Sequence, residues 1–317
     1  MKVTALAGGV GAGKFLRGLV RVVRAEDVTV VVNTADDLTV HGLHVSPDLD
    51  SVTYWLAGLA DRERGWGRAD ETFRATAELR RLGASDAWFS LGDLDLATHL
   101  LRTQMLARGL TLSEATAELA GRFGVRARVL PVSDDPLTTR VEVVSGDGVR
   151  LDLHFQEYWV ERGARDEVKA LRYEGADRAR PAPGVLEAVA RADAVLLCPS
   201  NPAASIGPIL SVPGVREAVA ARRATVAGVS PIVGGAPLRG MADRLLPVLG
   251  VEVSAAGVAE HYRDLLGVWV LDRVDADLAP RVEALGVRAV VTDTVMRDDE
   301  AAEHLARVAV RAALGAA

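Results

Sequence analysis

Residues 8–15, Gly8-Gly9-Val10-Gly11-Ala12-Gly13-Lys14-Phe15, constrain the fold of this chain more than any other stretch. An apolar run at 3–6 precedes them, and Phe15, Leu16, Leu19, Val20 and Val23 follow at helical spacing. The order is strand, glycine loop, helix, which turns backbone N–H groups and a helix N-terminus toward a phosphate. Gly8, Gly13 and Lys14 fit the spacing of a nucleotide-hydrolase phosphate loop. The next position should be Ser or Thr to hold Mg²⁺, and here it is Phe15, which cannot ligate a metal. The dinucleotide fingerprint fails too, because Lys14 stands where a third small residue belongs. The stretch reads as a phosphate-binding loop whose metal, if any, is held elsewhere. Taken alone it is equally compatible with a ligand-free βα turn. Lys14 shifts the balance: the only lysines are Lys2, Lys14 and Lys169, and a chain that otherwise uses arginine keeps a compact ammonium here. Gly9, Gly11, Gly13 and Lys14 are the candidate contacts.

Short β-branched runs alternate with amphipathic stretches, the pattern of a mostly parallel sheet covered by helices on both faces. Strands are expected at 3–6, 28–32, 88–91, 194–197, 225–229, 268–271 and 287–291, with helices at 71–82, 185–191, 215–221 and 300–313. Thr111 and Glu114 form a capping box opening a further helix. Residues 140–144 and 151–155 flank Ser145-Gly146-Asp147-Gly148, a hairpin signal. Residues 54–128 are mostly helical and interrupt the rhythm, so the expectation is one α/β domain over 1–317 with a helical insertion and one hairpin. Pro181-Ala182-Pro183-Gly184 is the best junction before the sheet resumes.

Composition narrows the class. Hydrophobic residues make up 49%, enough for a large core. The net charge of −6, with both signs interspersed, gives no support for a nucleic-acid surface. The single Cys198 excludes an intrachain disulfide and a cysteine metal cluster. No apolar run approaches a membrane span and no signal segment opens the chain, so a cytoplasmic protein is expected.

Ligands of open α/β sheets bind beyond the carboxyl ends of the strands. Polar clusters follow the apolar runs at just those places: Asn33-Thr34-Ala35-Asp36-Asp37, Gly92-Asp93-Leu94-Asp95, Pro199-Ser200-Asn201-Pro202 and Ser230-Pro231-Ile232. Ser46-Pro47-Asp48-Leu49-Asp50 is the best metal candidate. A helix start explains Asp48 well and Asp50 less well, because the dipole effect fades within a turn. Mg²⁺ needs only one or two carboxylates plus phosphates and water. Asp95, Thr98, His99 and Arg102 fall at helical spacing; Arg102 is a candidate clamp for a phosphate or carboxylate, and His99 reads as structural. Ser200, Asn201 and Ser205 lie in a proline-fixed loop, and Ser133-Asp134-Asp135-Pro136 in a turn before the hairpin; either is an anion contact or a rigid turn. No nucleophile elbow, zinc-protease helix or kinase signature is present, and the available donors and carboxylates suit transfer at phosphorus.

Residues 8–14, 33–37, 46–50, Leu91-Gly92-Asp93 with Ala97-Thr98-His99, 131–135, 199–208 and 230–232 occur in an order that closely resembles the 2-phospho-L-lactate transferase family of coenzyme F420 biosynthesis, including its phosphoenolpyruvate-using bacterial members. The resemblance spans nearly the whole chain. It implies a Rossmann-like homodimer that moves a phospholactyl or enolpyruvyl-phosphate group from a guanosine diphosphate-linked donor. The acceptor is the ribityl hydroxyl of the 5-deazaflavin Fo, with Mg²⁺ required and GMP released. It further implies Asp50 at Mg²⁺ or the deazaflavin, the glycine loop (Gly9, Gly11, Gly13, Lys14) and Asn33, Thr34, Asp36 and Asp37 facing the substrates, and Ser200, Asn201 and Ser205 at the guanosine nucleotide. Beside the resemblance, the residues themselves make Asp48 a second metal candidate, Asp36 or a metal-bound water the proton acceptor, and Ser90, Asp93, Thr98, Arg102 and Ser133 candidate substrate contacts. Some relatives carry a basic residue before Leu-Gly-Asp where this chain has Ser90; Arg102 or a water is the expected substitute. The gluconeogenesis-factor group of the same fold, regulators that bind nucleotide sugars, is the alternative. Its Gly-Gly-Ser-Ser stretch is replaced here by Leu38-Thr39-Val40.

Overall fold

Seven β-branched segments form one parallel sheet in a computed structural model that describes residues 1–315. They are β1 (Val3–Ala7), β2 (Val28–Val32), β3 (Arg128–Pro131), β4 (Ala194–Leu197), β5 (Val226–Val229), β6 (Val268–Asp272) and β7 (Arg288–Thr292). Their spatial order is β3-β2-β1-β4-β5-β6-β7, with every neighbouring pair parallel. This is the doubly wound, Rossmann-like order, and its direction reverses between β1 and β4.

Alternation along the strands divides the core. Val3, Ala5 and Ala7 of β1 pack on one face with Phe15, Leu16 and Leu19 of helix α1 (Gly9–Val22) and with the last helix, Asp299–Ala313. Leu6 packs on the other face with Val31, Val195, Leu197 and the helices at Val185–Arg191 and Val215–Ala220. Phe15 is fully buried in the first of these clusters. The position that a nucleotide hydrolase would give to a metal-binding hydroxyl is thus committed to the core.

Between β2 and β3 lie a small antiparallel pair (Leu38–Val40 with Leu43–Val45) and four helices, α2 (Pro47–Ala57), α3 (Arg74–Arg81), α4 (Asp93–Ala107) and α5 (Leu112–Arg122). The helical insertion is therefore real but opens at Pro47, and the Thr111–Glu114 capping box starts α5 as expected. The expected strand at 88–91 does not form. Ser85–Trp88 is a 3-10 turn, and the carbonyl and N–H of Leu91 are taken by the Thr76 hydroxyl (2.6 and 3.3 Å), so they are not offered to a neighbouring strand.

The expected hairpin is the core of a three-stranded antiparallel sheet, in which Thr138–Val144 pairs with both Arg150–His154 and Glu167–Glu174. A further two-residue pair joins Ile232–Val233 to Ala236–Pro237, so one hairpin was too few. No helix among the described residues is long and apolar enough to cross a membrane.

Candidate active site

The switch point between β1 and β4 opens into a cavity of about 1010 Å³, at the upper end of the range for small-molecule sites. Loops beyond β1, β2, β4, β5 and β7 line it, together with α2, α4 and residues 155–160. Gly9, Gly11, Lys14, Asp36, Asp48, Asp50, Ser90, Ser200, Asn201 and Ser205 all face this space.

The glycine loop is shaped by close packing. Gly8 caps α1 in extended geometry; the helix carries no acidic side chain in its own first turn, and its positive end is met by the Asp48 carboxylate from α2, which takes the Gly9 N–H. A Cβ at Gly11 would stand 2.3 Å from the Pro199 carbonyl oxygen, and one at Gly13 would stand 2.3 Å from the Trp55 ring. Gly13 therefore serves the approach of α2 and does not line the cavity. The Ser200 hydroxyl accepts from the Gly8 N–H (3.2 Å) and donates to the Gly8 carbonyl (2.9 Å), joining the loops after β1 and β4. Asn201 accepts from the N–H groups of Ala203 and Ala204 and so caps the following turn. The Lys14 ammonium lies 5.9 Å from the Trp55 ring centroid. Burial, then the Arg239 guanidinium, push it below the usual lysine range.

Carboxylates line the cavity beside this loop. The Asn33 amide, fully buried, donates to Asp48 (2.9 Å) and to the Ala204 carbonyl (3.2 Å). The Gly9 N–H and the Ser205 hydroxyl also serve Asp48, whose carboxyl burial pushes up to about 6 against these donors. Asp36 is buried with one carboxyl oxygen unpartnered. Burial, then Asp48, hold it well above the usual range. Asp37 is turned away, accepting from Ser46 (2.7 Å) and touching His44 (3.1 Å).

Asp50 sits in a buried network that joins α2 to α4. Arg102 binds both its oxygens, with Nη1 3.0 Å from Oδ2. His99 Nδ1 lies 3.3 Å from the same Nη1, and His99 Nε2 lies 3.3 Å from Asp95, which accepts from the Tyr54 hydroxyl (2.6 Å).

A family model, 2-phospho-L-lactate transferase CofD, matches residues 3–312. The chain belongs to that family. Proteins named phosphoenolpyruvate transferase from Streptomyces avermitilis and Kitasatospora aureofaciens are 51% and 50% identical to it, each match covering 98% of this chain and 97% of the relative. The one from Thermobifida fusca is 50% identical over 99% of this chain and 98% of its own. The chain is thus a transferase of the CofD family. Two crystal structures of protein BH3568 from Bacillus halodurans, a member of the UPF0052 family, share the fold at TM-scores of 0.61 and 0.59. Both are under 20% identical, at 19% and 18%, and both matches cover 98% of this chain and 99% of that one.

Several expected contacts in this CofD-family chain belong to the scaffold. Asp93 takes the Ala75 N–H (3.0 Å) and the Thr72 hydroxyl, so it caps α3 outside the cavity. Ser133 donates to the Arg180 carbonyl (2.7 Å) and accepts from the Asp135 N–H (2.9 Å), holding a turn. Thr34 and Thr98 are buried with unpartnered hydroxyls, and neither lines the cavity. Arg102 is committed to Asp50 and cannot stand in for a basic residue at Ser90. Arg80 reaches the Ser90 hydroxyl instead (2.5 Å), a pairing ten residues apart that only the turn between α3 and α4 creates.

The sequence reading missed the rim. Trp66, Phe89, Trp159, Val160 and Leu238 surround the mouth, and Arg64, Arg239 and Arg297 bring positive charge to it. The signal was present in Trp66 and Trp159, which are exposed tryptophans in a chain with 4% aromatics.

The donor set fits a Mg²⁺ ion. Arg102 fills one lone pair on each Asp50 oxygen and leaves the others for a hard cation, the one or two carboxylates that Mg²⁺ asks of a protein. Asp48 is satisfied by Asn33, Gly9 and Ser205 and belongs to the wall. Bound there, the ion would supply charge neutralisation at the transferring phosphoryl group.

Proposed function

We propose that this transferase works in coenzyme F420 biosynthesis, moving an enolpyruvyl-phosphate group from a guanosine diphosphate-linked donor to the ribityl hydroxyl of the deazaflavin Fo. The observation that carries the reading is that one cavity is lined by Lys14 and the start of α1 together with Asp36 and Asp50. The first pair suits the diphosphate of a donor, and the second suits an acceptor hydroxyl and Mg²⁺. The names of relatives at about half identity over the whole chain favour enolpyruvate over lactate as the group carried.

In this reading the acceptor oxygen attacks the phosphorus bearing the enolpyruvyl group. The new O–P bond forms as the P–O bond to GMP breaks, and GMP leaves with that electron pair. Asp36, which lines the cavity and keeps one carboxyl oxygen unpartnered, takes the hydroxyl proton. Lys14 holds the departing phosphate, Asp50 would hold Mg²⁺, and Arg102 keeps Asp50 in place. Covalent catalysis has no support from Cys198, whose thiol is buried and pushed up by that burial. A homodimer belongs to the same reading and is checked by the mass in solution.

Mass spectrometry of the product formed from Fo tests this. Offered the enolpyruvyl and lactyl donors in turn, the protein should give the enolpyruvyl adduct faster. Donor binding without any adduct would favour a nucleotide-binding regulator.

A further inference from the structure

Arg239 lies in the loop after the Ile232–Val233/Ala236–Pro237 pair and lines the cavity beside the glycine loop. Its Nη1 donates to the Arg64 carbonyl (2.6 Å) and its Nη2 to the Glu63 carbonyl (2.9 Å). One guanidinium therefore fastens residues 61–68 to the loop after β5. The two carbonyls are firmly presented: Asp61 accepts from the N–H groups of Glu63 (2.9 Å) and Arg64 (2.8 Å), and the Arg64 head stacks on Trp66 and Phe73. Gly65, at φ +81°, lets this strap lie close; a Cβ there would stand 2.2 Å from Arg239 Nη1 and 3.1 Å from Val10 of the glycine loop. The strap thus covers the start of α1.

A guanidinium has five N–H donors, and two are used here. Neither the Arg239 head nor the Lys14 ammonium is in an ion pair among the described residues, although they are close enough for Arg239 to disfavour the charged Lys14. Asp48 already accepts from the Gly9 N–H at the start of α1, whereas these two cations, which line the same cavity beside it, have no anionic partner among the described residues.

We infer that Arg239 binds phosphate together with Lys14, and that it does so while still fastening the strap, so that a bound diphosphate locks residues 61–68 over the glycine loop. The inference rests on the reading of a guanosine diphosphate-linked donor; its chemistry requires only a diphosphate.

Calorimetry with GDP and with inorganic pyrophosphate tests it, beside trypsin cleavage after Arg62 or Arg64 followed by mass. Arg239→Ala should weaken both probes by about tenfold or more, the effect of one charge-assisted hydrogen bond. Arg239→Lys should recover part of that affinity, because it restores the charge without the fork. GDP should slow cleavage of the wild-type strap and leave that of Arg239→Ala unchanged. Arg239 is exposed, and an unchanged circular dichroism spectrum confirms that the variant folds. If Arg239→Ala binds both probes as wild type does and only cleaves faster without ligand, Arg239 is a strap fastener alone and the inference falls. If wild type binds pyrophosphate in an Arg239-dependent way but GDP no better, the guanosine reading fails and this one stands. Binding of neither probe overturns both.

Discussion

The Arg102 guanidinium on α4 grips both carboxylate oxygens of Asp50 on α2, with Nη1 3.0 Å from Oδ2 and both residues buried. A buried ion pair stripped of one partner leaves a charge without compensation, which costs about 3–5 kcal/mol. Asp50→Asn should therefore lose stability as well as about 10²-fold or more in transfer rate. Urea unfolding checks the first effect. Asp50→Leu combined with Arg102→Met should regain much of the stability and none of the activity. Nothing in the sequence spacing reveals this stability effect, because the pairing spans 52 residues.

Lys14→Ala should weaken GDP by about 1.5–3 kcal/mol with little change in unfolding midpoint, since its ammonium faces the cavity. Isothermal titration measures this. Unchanged affinity would return the glycine loop to a plain βα turn.

Gly11→Ala pushes a methyl group to within 2.3 Å of the Pro199 oxygen, a backbone atom that cannot turn aside. The loops after β1 and β4 must part, at a cost of about 1–3 kcal/mol. Thermal melting should show the loss, and GDP affinity should fall with it.

Asp272 at the end of β6 anchors the segment that leads to the cavity residues Val295, Met296 and Arg297. Burial raises its carboxyl, but donation from the Thr294 and Val274 N–H groups and the Thr294 hydroxyl outweighs burial and leaves it below the usual range. A depressed folded-state pKa gives stability that is present at neutral pH. That stability is lost as pH falls below about 4, the unfolded aspartate value, and through the folded one. Wild-type stability should fall more steeply across that window than that of Asp272→Asn. Equal slopes in acid denaturation would contradict the assignment.

Legibility in the sequence followed the range of the forces involved. The parallel strands with buried, β-branched faces and the Thr111 capping box are local patterns, and they formed where expected. The edge strand Arg128–Pro131 was missed because four residues with one exposed end carry too little pattern. Residues 88–91 had the right composition for a strand, but the distant Thr76 hydroxyl took the Leu91 backbone groups. At the site, sequence clusters located the loops correctly and could not say which side chains turn inward. Asp36 and Asp37 are adjacent, yet Asp36 faces the cavity and Asp37 faces His44 and Ser46. Arg239 carried no motif, because its partners are backbone carbonyls 175 and 176 residues away.

Direct transfer is tested most plainly by the amount of GMP released by stoichiometric enzyme mixed with the guanosine diphosphate-linked donor and Mg²⁺, with and without Fo. Release should equal Fo consumed and should be absent when Fo is left out. A rapid release of one GMP per active site without Fo, leaving a heavier protein by mass, would mean a covalent intermediate and contradict transfer in one step.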